Sequence, residues 1–547
     1  MSGVAFGRRP AAATIGVAAA AGRRTLGERR APVGLLLTGT LIGAVAALPA
    51  VYLLIVVLDA PSAAIEVLSS RTLGLLGRTL GLAAAVTAAA VAIAVPLAWL
   101  TTRTDLPARR LWTTLTTLPL VIPSYVGAYL LTATFGPRGF LQDVLAPLGV
   151  EQIPSILGFP GAWLALTLFT YPLVLITARG ALLRLDPQLE EAARAMGRSP
   201  FATFRTVVLP QLLPAIAAGA LLVALYVLSD FGAVSIMGFD TFTLDIYVSY
   251  QSSFDRTGAA ALGAVLVGLM IVLLLIYGRF RGRASYHRVG PGTQRPARAV
   301  RLGRWRVAAL AYCSFVSAIA LVLPVTVLIY WSSKGLGAQP DWGAIATNAA
   351  NSLLAAGGAA ILAALAAIVL AILVVRYPSG LSRLLERVGY AGYALPGIVV
   401  ALALVFFATR VLVPIYQTLG LLTVALGILF VPLAIGATVA ALLQVPPRVE
   451  EAARGLGRSP VAVFRTITTP LVASGVLAGA ALVFLHAIKE LPATLILAPI
   501  GFDTLALDIW RQTTIGFFEA GAIPALLLLI VAAPPLYLLS GKAAATP

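Results

Sequence analysis

The 547-residue chain is expected to be an all-α polytopic membrane protein, with about twelve transmembrane helices in two parallel six-helix repeats. Three observations carry that expectation. Apolar residues make up 60% of the chain and charged ones only 11%, too few charges for a soluble chain of this length. Many uncharged apolar runs approach the roughly 20 residues that a helix needs to cross a bilayer. A polar cassette also occurs twice, 260 residues apart: EEAARAMGRSPFATFRTVVLP from Glu190 to Pro210 and EEAARGLGRSPVAVFRTITTP from Glu450 to Pro470, identical at fourteen of 21 positions.

The apolar runs place spans near 34–58, 77–100, 111–134, 157–178, 211–229 and 257–277 in a first half covering 34–277. A second half, 307–540, holds spans near 307–331, 352–375, 388–408, 418–443, 471–488 and 519–540. The runs are continuous, whereas membrane strands alternate over about 10 residues, so helices are expected. Residues 1–33, with Arg8, Arg9, Arg23, Arg24, Arg29 and Arg30, form a basic tail before an uncleaved first helix. Residues 278–306 carry nine arginines, His287, Gly290, Pro291, Gly292 and Pro296, as a flexible basic connector; 541–547 form a C-terminal tail.

Charge sets the orientation. With the N-terminus in the cytoplasm, the seven inner segments hold 31 of the 39 Lys and Arg and 8 acidic residues, a net +23, while the outer regions carry a net −5. Short Lys/Arg-rich loops stay inside, so both termini are expected in the cytoplasm. The overall charge of +18 is then a topology signal. Nucleic acid is not an expected partner, because the arginines are spread over every inner loop without interleaved aromatics.

Repetition extends beyond the cassette. Asp230 aligns with Glu490 at the offset of 260, GFDTFTLDIY from Gly238 with GFDTLALDIW from Gly501 at 263, and Arg103 with Arg376 and Pro123 with Pro396 at 273. Halves with even numbers of helices enter and leave on one side, which gives parallel repeats about the membrane normal.

Within the cassette, Asp186 and Pro187 suit a helix start, Glu190 and Glu191 lie near its positive end, and Gly197 suits a left-handed stop, making a short exposed helix. Ser199 and Pro200 begin a second helix with Phe201, Phe204 and Val208 on one face, and Pro210 is expected to close the cassette before the fifth span. The second copy repeats this with Pro447, Glu450, Glu451, Gly457, Ser459, Pro460, Val461, Phe464 and Pro470. An interfacial linker with snorkelling arginines would need only composition. Two near-identical sequences in divergent surroundings point instead to a docking surface for a two-lobed partner.

Glu191, Ala192, Ala193, Gly197, Val207, Leu209 and Pro210 resemble the EAA signature of permease subunits of bacterial ABC importers. So do Glu451, Ala452, Ala453, Gly457, Ile467 and Pro470, with Thr469 where leucine is usual. The resemblance implies a type I importer permease fold in a bacterial cytoplasmic membrane, and ATPase coupling through Glu190, Glu191, Ala192, Ala193, Gly197, Arg198, Glu450, Glu451, Ala452, Ala453, Gly457 and Arg458. It implies two copies of an ATP-binding subunit, which would bind ATP and Mg, and one extracytoplasmic substrate-binding protein. ALPGIVVALALVF from Ala394 and KELPATLILAP from Lys489 resemble ferric-iron permeases, which implies Fe(III) as cargo. Fused permeases for thiamine, aminoethylphosphonate and other small solutes are similar.

The chain has no Gly-x-x-x-x-Gly-Lys-Ser/Thr loop, so ATP hydrolysis is expected on the separate subunit and no cofactor is expected here. With His287 and His486 the only histidines and Cys313 the only cysteine, no HExxH or cysteine metal site is expected; His486 reads as a packed or pore-side residue. Ionisable groups near the bilayer usually face protein or water. Asp230, Lys489 and Glu490, ending the fifth span of each half, are therefore candidates for an outer gate, or else ordinary charges at a helix exit. Asp240, Asp245, Asp503 and Asp508 are candidates for vestibule lining or binding-protein docking, and their Gly-Phe-Asp-Thr setting also suits a turn. A gradient-driven secondary transporter would explain the repeats but not the cassettes, and a membrane enzyme would need clustered nucleophiles or metal ligands within the spans.

Overall fold

A computed structural model describes residues 31–59, 69–136, 139–149, 153–185, 187–252, 255–281, 299–337 and 339–544. Most of the basic tail and connector, with His287, and also Asp186, lie outside these residues. Nine helices of the first half recur in the second. The first set is α1 (Val33–Asp59), α2 (Ser70–Arg103), α3 (Ser124–Phe135), α4 (Phe159–Arg184), α5 (Pro187–Ala195), α6 (Leu209–Ser229), α7 (Gly232–Ile236), α8 (Phe242–Gln251) and α9 (Arg256–Arg281). Their counterparts are α10 (Gly303–Gly337), α11 (Trp342–Arg376), α12 (Gly397–Arg410), α13 (Leu419–Leu443), α14 (Pro447–Gly455), α15 (Thr469–Ala487), α16 (Pro492–Leu497), α17 (Leu505–Thr514) and α18 (Phe518–Ala544). Among the described residues there is no strand, only the isolated bridge of Thr104 with Val300.

Nine described helices are long and apolar enough to cross a bilayer. The remaining predicted spans depart from straight helices. The span expected over 111–134 is a bent pair, Arg109–Val121 with Ser124–Leu148, at 96°. The one expected over 388–408 divides into Gly380–Tyr390 and α12, and the last shows a shorter apolar stretch, Phe518–Pro534. The breaks fall where proline removes an N–H and forces its predecessor out of helical geometry: Ile122 before Pro123 has ψ 117° and Leu395 before Pro396 has ψ 120°.

Pro210 and Pro470 were expected to close the cassette before a new span, and here the structure differs. Phe204–Val208 and Phe464–Thr468 are single π-helical turns that run directly into α6 and α15. A proline in the first turn of the following segment has no N–H to satisfy, and the wider turn accommodates its ring.

The two halves exchange their first helices. α1 packs on α11, α12 and Gly380–Tyr390 of the second half, while α10 packs on α3 and Arg109–Thr117 of the first. Gly39 and Gly43 let α1 approach closely, since a Cβ would stand 2.3 Å from Leu373 and 2.5 Å from Leu385 respectively. From α10, Tyr312 donates to the Ile93 carbonyl (3.0 Å) and Trp331 to that of Ala133 (3.2 Å).

Within each half, α2 packs with α4 and α6, as α11 does with α13 and α15. Lipid offers no hydrophobic drive for helix association, so close backbone contact at small residues matters. Gly219 on α6 faces Val174 and Thr177, and Gly479 on α15 faces Ala434. A Cβ at Gly219 would stand 2.7 Å from the Val174 Cα. Gly219→Leu should lower the thermal midpoint of the detergent-purified protein by the equivalent of about 1–3 kcal/mol of overpacking. Gly77→Leu, at a position with open space around it, should leave the midpoint unchanged, which a fluorescence melting assay of both variants checks.

Candidate functional site

At the end of the bundle that carries the cassettes, expected to be the inner one, α2 and α11 each finish on an arginine that faces the first glutamate of the neighbouring cassette. Arg103 Nη2 lies 3.0 Å from Glu190 Oε1, and Arg376 Nη2 lies 2.9 Å from Glu450 Oε1. The second pair is the more elaborate. Arg376 also donates through Nε to Glu450 Oε1 (3.3 Å) and through Nη2 to the Val445 carbonyl (3.0 Å), and Thr468 donates to the same carboxylate oxygen (3.1 Å). Val208 occupies the position equivalent to Thr468, and the Arg103–Glu190 contact lies off the hydrogen-bond direction.

The cassette helix was expected to be exposed, and its twelve candidate coupling residues divide instead. Ala193, Ala453 and Glu450 are buried, and Glu190 is largely so, because they turn towards this chain. Glu191, Ala192, Gly197 and Arg198 face outward, as do Ala452, Gly457 and Arg458, with Glu451 half-buried. Met196 and Leu456, at equivalent positions, stand 72% and 86% exposed.

Both cassettes end in the same stop. Gly197 has φ +83° and Gly457 φ +86°, the left-handed conformation that glycine adopts without penalty. The N–H of Arg198 donates to Ala193 and that of Arg458 to Ala453, both at 3.2 Å, as in a Schellman motif. Ser199 and Ser459 then cap the next turn, accepting from the N–H groups of Ala202 and Ala462 at 3.2 Å. Arg198 and Arg458 donate forward to Thr206 (2.6 Å) and Thr466 (3.0 Å). Each cassette is thus a stiff elbow continuous with α6 or α15.

The connector also reaches the inner end. Val300 N–H donates to the Arg103 carbonyl (2.8 Å), Asp105 N–H to that of Val300 (3.1 Å), and Leu302 N–H to Asp105 Oδ1 (2.8 Å).

At the outer end, α6 and α15 stop at Asp230 and at Lys489–Glu490. Asp230 is buried, accepts from Ser124 and from the Ala233 N–H (2.9 Å), and so caps α7. Glu490 accepts from Ala493 N–H (3.4 Å) and caps α16. The repeat carries a compensating exchange here. Where the first half has Ser124 beside Asp230, the second has Gly397 beside the longer Glu490, whose Oε1 would lie 2.1 Å from any Cβ at Gly397. Lys489 and Glu490 are half-buried. His486 is a packed residue as expected, its Nδ1 2.9 Å from the Leu482 carbonyl and its ring 5.7 Å from Phe430.

The repeated Gly-Phe-Asp-Thr segments are turns with Gly238 at φ +63° and Gly501 at φ +79°. Their aspartates are engaged within the chain. Asp240 pairs with Arg78 (2.6 Å) and Asp245 with Arg71 (2.7 Å). Asp503 takes Arg511 bidentately (3.0 and 2.8 Å), and Asp508 accepts from Asn348 (3.2 Å) and Gln512 (3.2 Å). The ends of the same segments meet each other: Tyr247 and Trp510, equivalent residues of the two repeats, lie 6.0 Å apart edge to face, so they mark the pseudo-two-fold axis. Phe231 joins them at 5.0 and 6.0 Å, and Trp510 Nε1 donates to Ser235 (3.0 Å). Sequence reasoning missed this aromatic contact, although the paired offsets of Tyr247 and Trp510 were visible. Among the described residues no cluster of three or more His, Cys, Asp and Glu could hold a metal.

The family described as binding-protein-dependent transport system inner membrane component matches residues 90–286 and 363–540, once in each half. The chain belongs to this family. It is 33% identical to the Fe(3+)-transport system permease protein FbpB 2 of Haemophilus influenzae, over 93% of this chain and 98% of that one. The ferric transport system permease protein FbpB of Actinobacillus pleuropneumoniae is 25% identical over 70% of this chain and 58% of its own. The molybdenum transport system permease protein ModB of Escherichia coli is 34% identical over 35% of this chain and 86% of its own. The chain is thus a membrane permease with two fused family domains, and the matches take in Arg103, the first cassette and Asp230, and Arg376, the second cassette and Glu490.

Removing one member of a buried ion pair strands the other, at a typical cost of about 3–5 kcal/mol. Arg376→Met should therefore destabilise the protein more than the double variant Arg376→Met/Glu450→Leu, in which no charge is left unpaired. Thermal denaturation of the three proteins checks this, with equal midpoints for the single and double variants as the contrary result.

Proposed function

We propose that this chain is the permease subunit of an ATP-driven importer that moves Fe(III), delivered by an extracytoplasmic binding protein, into a bacterial cytoplasm by alternating access. The observation that carries this reading is the inner Arg–Glu pair, present in both halves and continuous through a stiff elbow with the helix that ends at the outer gate. At 1.5 Å per residue, the 26 residues of Phe204–Ser229 form one continuous helical run of about 39 Å from the cassette to Asp230, along which displacement can be carried.

In this reading the halves are 34–277 and 307–540, joined by the connector 278–306, with both termini cytoplasmic. Glu191, Ala192, Gly197, Arg198, Met196 and their counterparts face two copies of an ATP-binding subunit, which holds ATP and Mg. Glu190, Ala193, Glu450 and Ala453 anchor the cassettes to the permease. ATP-driven closure of the partner would move both cassettes and part the Tyr247–Trp510 contact, exposing Asp230, Lys489 and Glu490 to cargo. The outer aspartate pairs are solvent-exposed and weak, worth about 0–1 kcal/mol each, so a docking protein can exchange them at little cost. Iron as cargo is supported by the names of the two ferric relatives and their coverage of this chain.

The test is uptake of labelled ferric iron in cells carrying the chain with its binding protein and ATPase, beside Gly197→Leu/Gly457→Leu. A leucine at φ +83° and +86° carries backbone strain of roughly 1–3 kcal/mol at each stop. Uptake by the wild type and its loss in the double variant, with ATP hydrolysis retained, is expected. Normal uptake by the variant would overturn the coupling role. A wild-type complex whose ATPase responds to its binding protein but imports no iron would move the cargo to thiamine, aminoethylphosphonate or another small solute; import that runs on an ion gradient without any ATPase would mean a secondary transporter.

A further inference from the structure

At the proposed outer gate the two repeats differ in chemistry. Positions that serve folding keep their function in both halves. Thr79 and the equivalent Ser352 each accept a backbone N–H from the outer segment, that of Phe242 at 3.3 Å and that of Leu505 at 2.9 Å. Around Asp230, in contrast, the first half carries Ser124, Tyr125 and Tyr226, whereas the equivalent residues of the second are Gly397, Ile398 and His486. Oxygen-bearing side chains have thus gathered on one side of the pseudo-two-fold axis, and the second half contributes Glu490.

These groups lie together. Asp230 accepts from Ser124, and Tyr226, one helical turn before Asp230, lies beside the same serine. Tyr125 packs against Gly232, whose own neighbour from the second half is Leu491, the residue after Glu490. Glu490 itself stands against Gly397, the position equivalent to Ser124. The decisive feature is Tyr125: its side chain is 3% exposed and its hydroxyl makes no hydrogen bond. A buried hydroxyl without a partner costs about 1–3 kcal/mol. Tyr226 is 38% exposed and Glu490 half-buried.

We propose that Tyr125, Tyr226, Asp230 and Glu490 form a transient, all-oxygen site for a hard, highly charged metal cation beside the aromatic contact at the outer gate. The inference rests on the iron-import reading and names the residues that would receive the ion. Carboxylate and phenol oxygens are hard donors, which suit such a cation better than nitrogen or sulfur. On entry the cation binds both carboxylates and replaces the phenolic proton of Tyr125 and of Tyr226. The bonds formed are metal–oxygen, those broken are O–H, and the protons pass to water in the vestibule; no electron is transferred. Lys489, adjacent to Glu490 in the chain, opposes tight holding of a trication, as a site that must release its cargo requires.

The test uses the purified permease–ATPase complex and ferric nitrilotriacetate as probe, read by visible absorption, because phenolate bound to Fe(III) gives a charge-transfer band that carboxylates do not. A band in the wild type that weakens in Tyr125→Phe and in Tyr226→Phe and vanishes in the double variant is expected. In cells, uptake of labelled iron by Asp230→Asn/Glu490→Gln should fall by about tenfold or more, at least the 10–100-fold typical of losing even an outer partner of a metal ligand. Complex assembly and ATP hydrolysis stimulated by the binding protein verify folding of each variant. If the wild type imports iron but shows no band, or the same band as the double tyrosine variant, this site is wrong and the iron reading stands. If the assembled wild type imports no iron, the cargo assignment falls and this inference falls with it.

Discussion

Arg103 and Arg376 end membrane-spanning helices, where an unpaired charge facing lipid or protein is costly, and each finds its counter-charge on the cassette rather than on its own helix. That single requirement fixes much else. The glutamate must turn inward, so the cassette helix lies against the ends of α2 and α11. Its neighbours Ala193 and Ala453 must be small to allow the approach, and both are buried. Glu191, Ala192, Met196 and Arg198 are left facing away, and the left-handed glycine turns the chain into the segment that leads to α6.

Exchange of the first helices gives the duplicated core a second constraint. α1 and α10 each pack both on the last helix of their own half and on the half to which they do not belong in sequence, so the halves cannot separate without breaking both cross-contacts. The family matches begin at residues 90 and 363, after these arms. The core around which they wrap comprises α2 to α9 and α11 to α18, with the axis at its outer end held by Tyr247 and Trp510.

How much of this was legible in sequence depends on the range of the interaction. Apolar runs of bilayer length are a local property, and they located the spans well, as the cassette repeat located the two elbows. Span geometry was less legible at Pro123 and Pro396, where local hydropathy continues through a break that only the backbone chemistry of proline imposes. The same limit applies in reverse at Pro210 and Pro470, where a π turn absorbs the proline and the helix continues. The offset of 273 joined Arg103 to Arg376, but nothing in the sequence said that they face Glu190 and Glu450, because an ion pair across 87 or 74 residues leaves no local signature. The outer aspartates illustrate the same point: their type was evident and their arginine and asparagine partners were not.

The pattern of repetition carries a final step of argument. A duplicated membrane protein keeps in both copies what each copy needs by itself: the inner ion pair, the left-handed stop, the serine cap, the forward arginine strap and the hydroxyl that holds the outer segment. Where one path is shared by both halves, identical contributions are not needed and can conflict. Two copies of the Ser124–Asp230 arrangement would place equal acids on either side of the axis. The second half instead has glycine at 397, a longer acid at 490 and a lysine at 489. The two repeats are thus alike at the Arg–Glu end of the bundle and unlike at the end of Asp230 and Glu490.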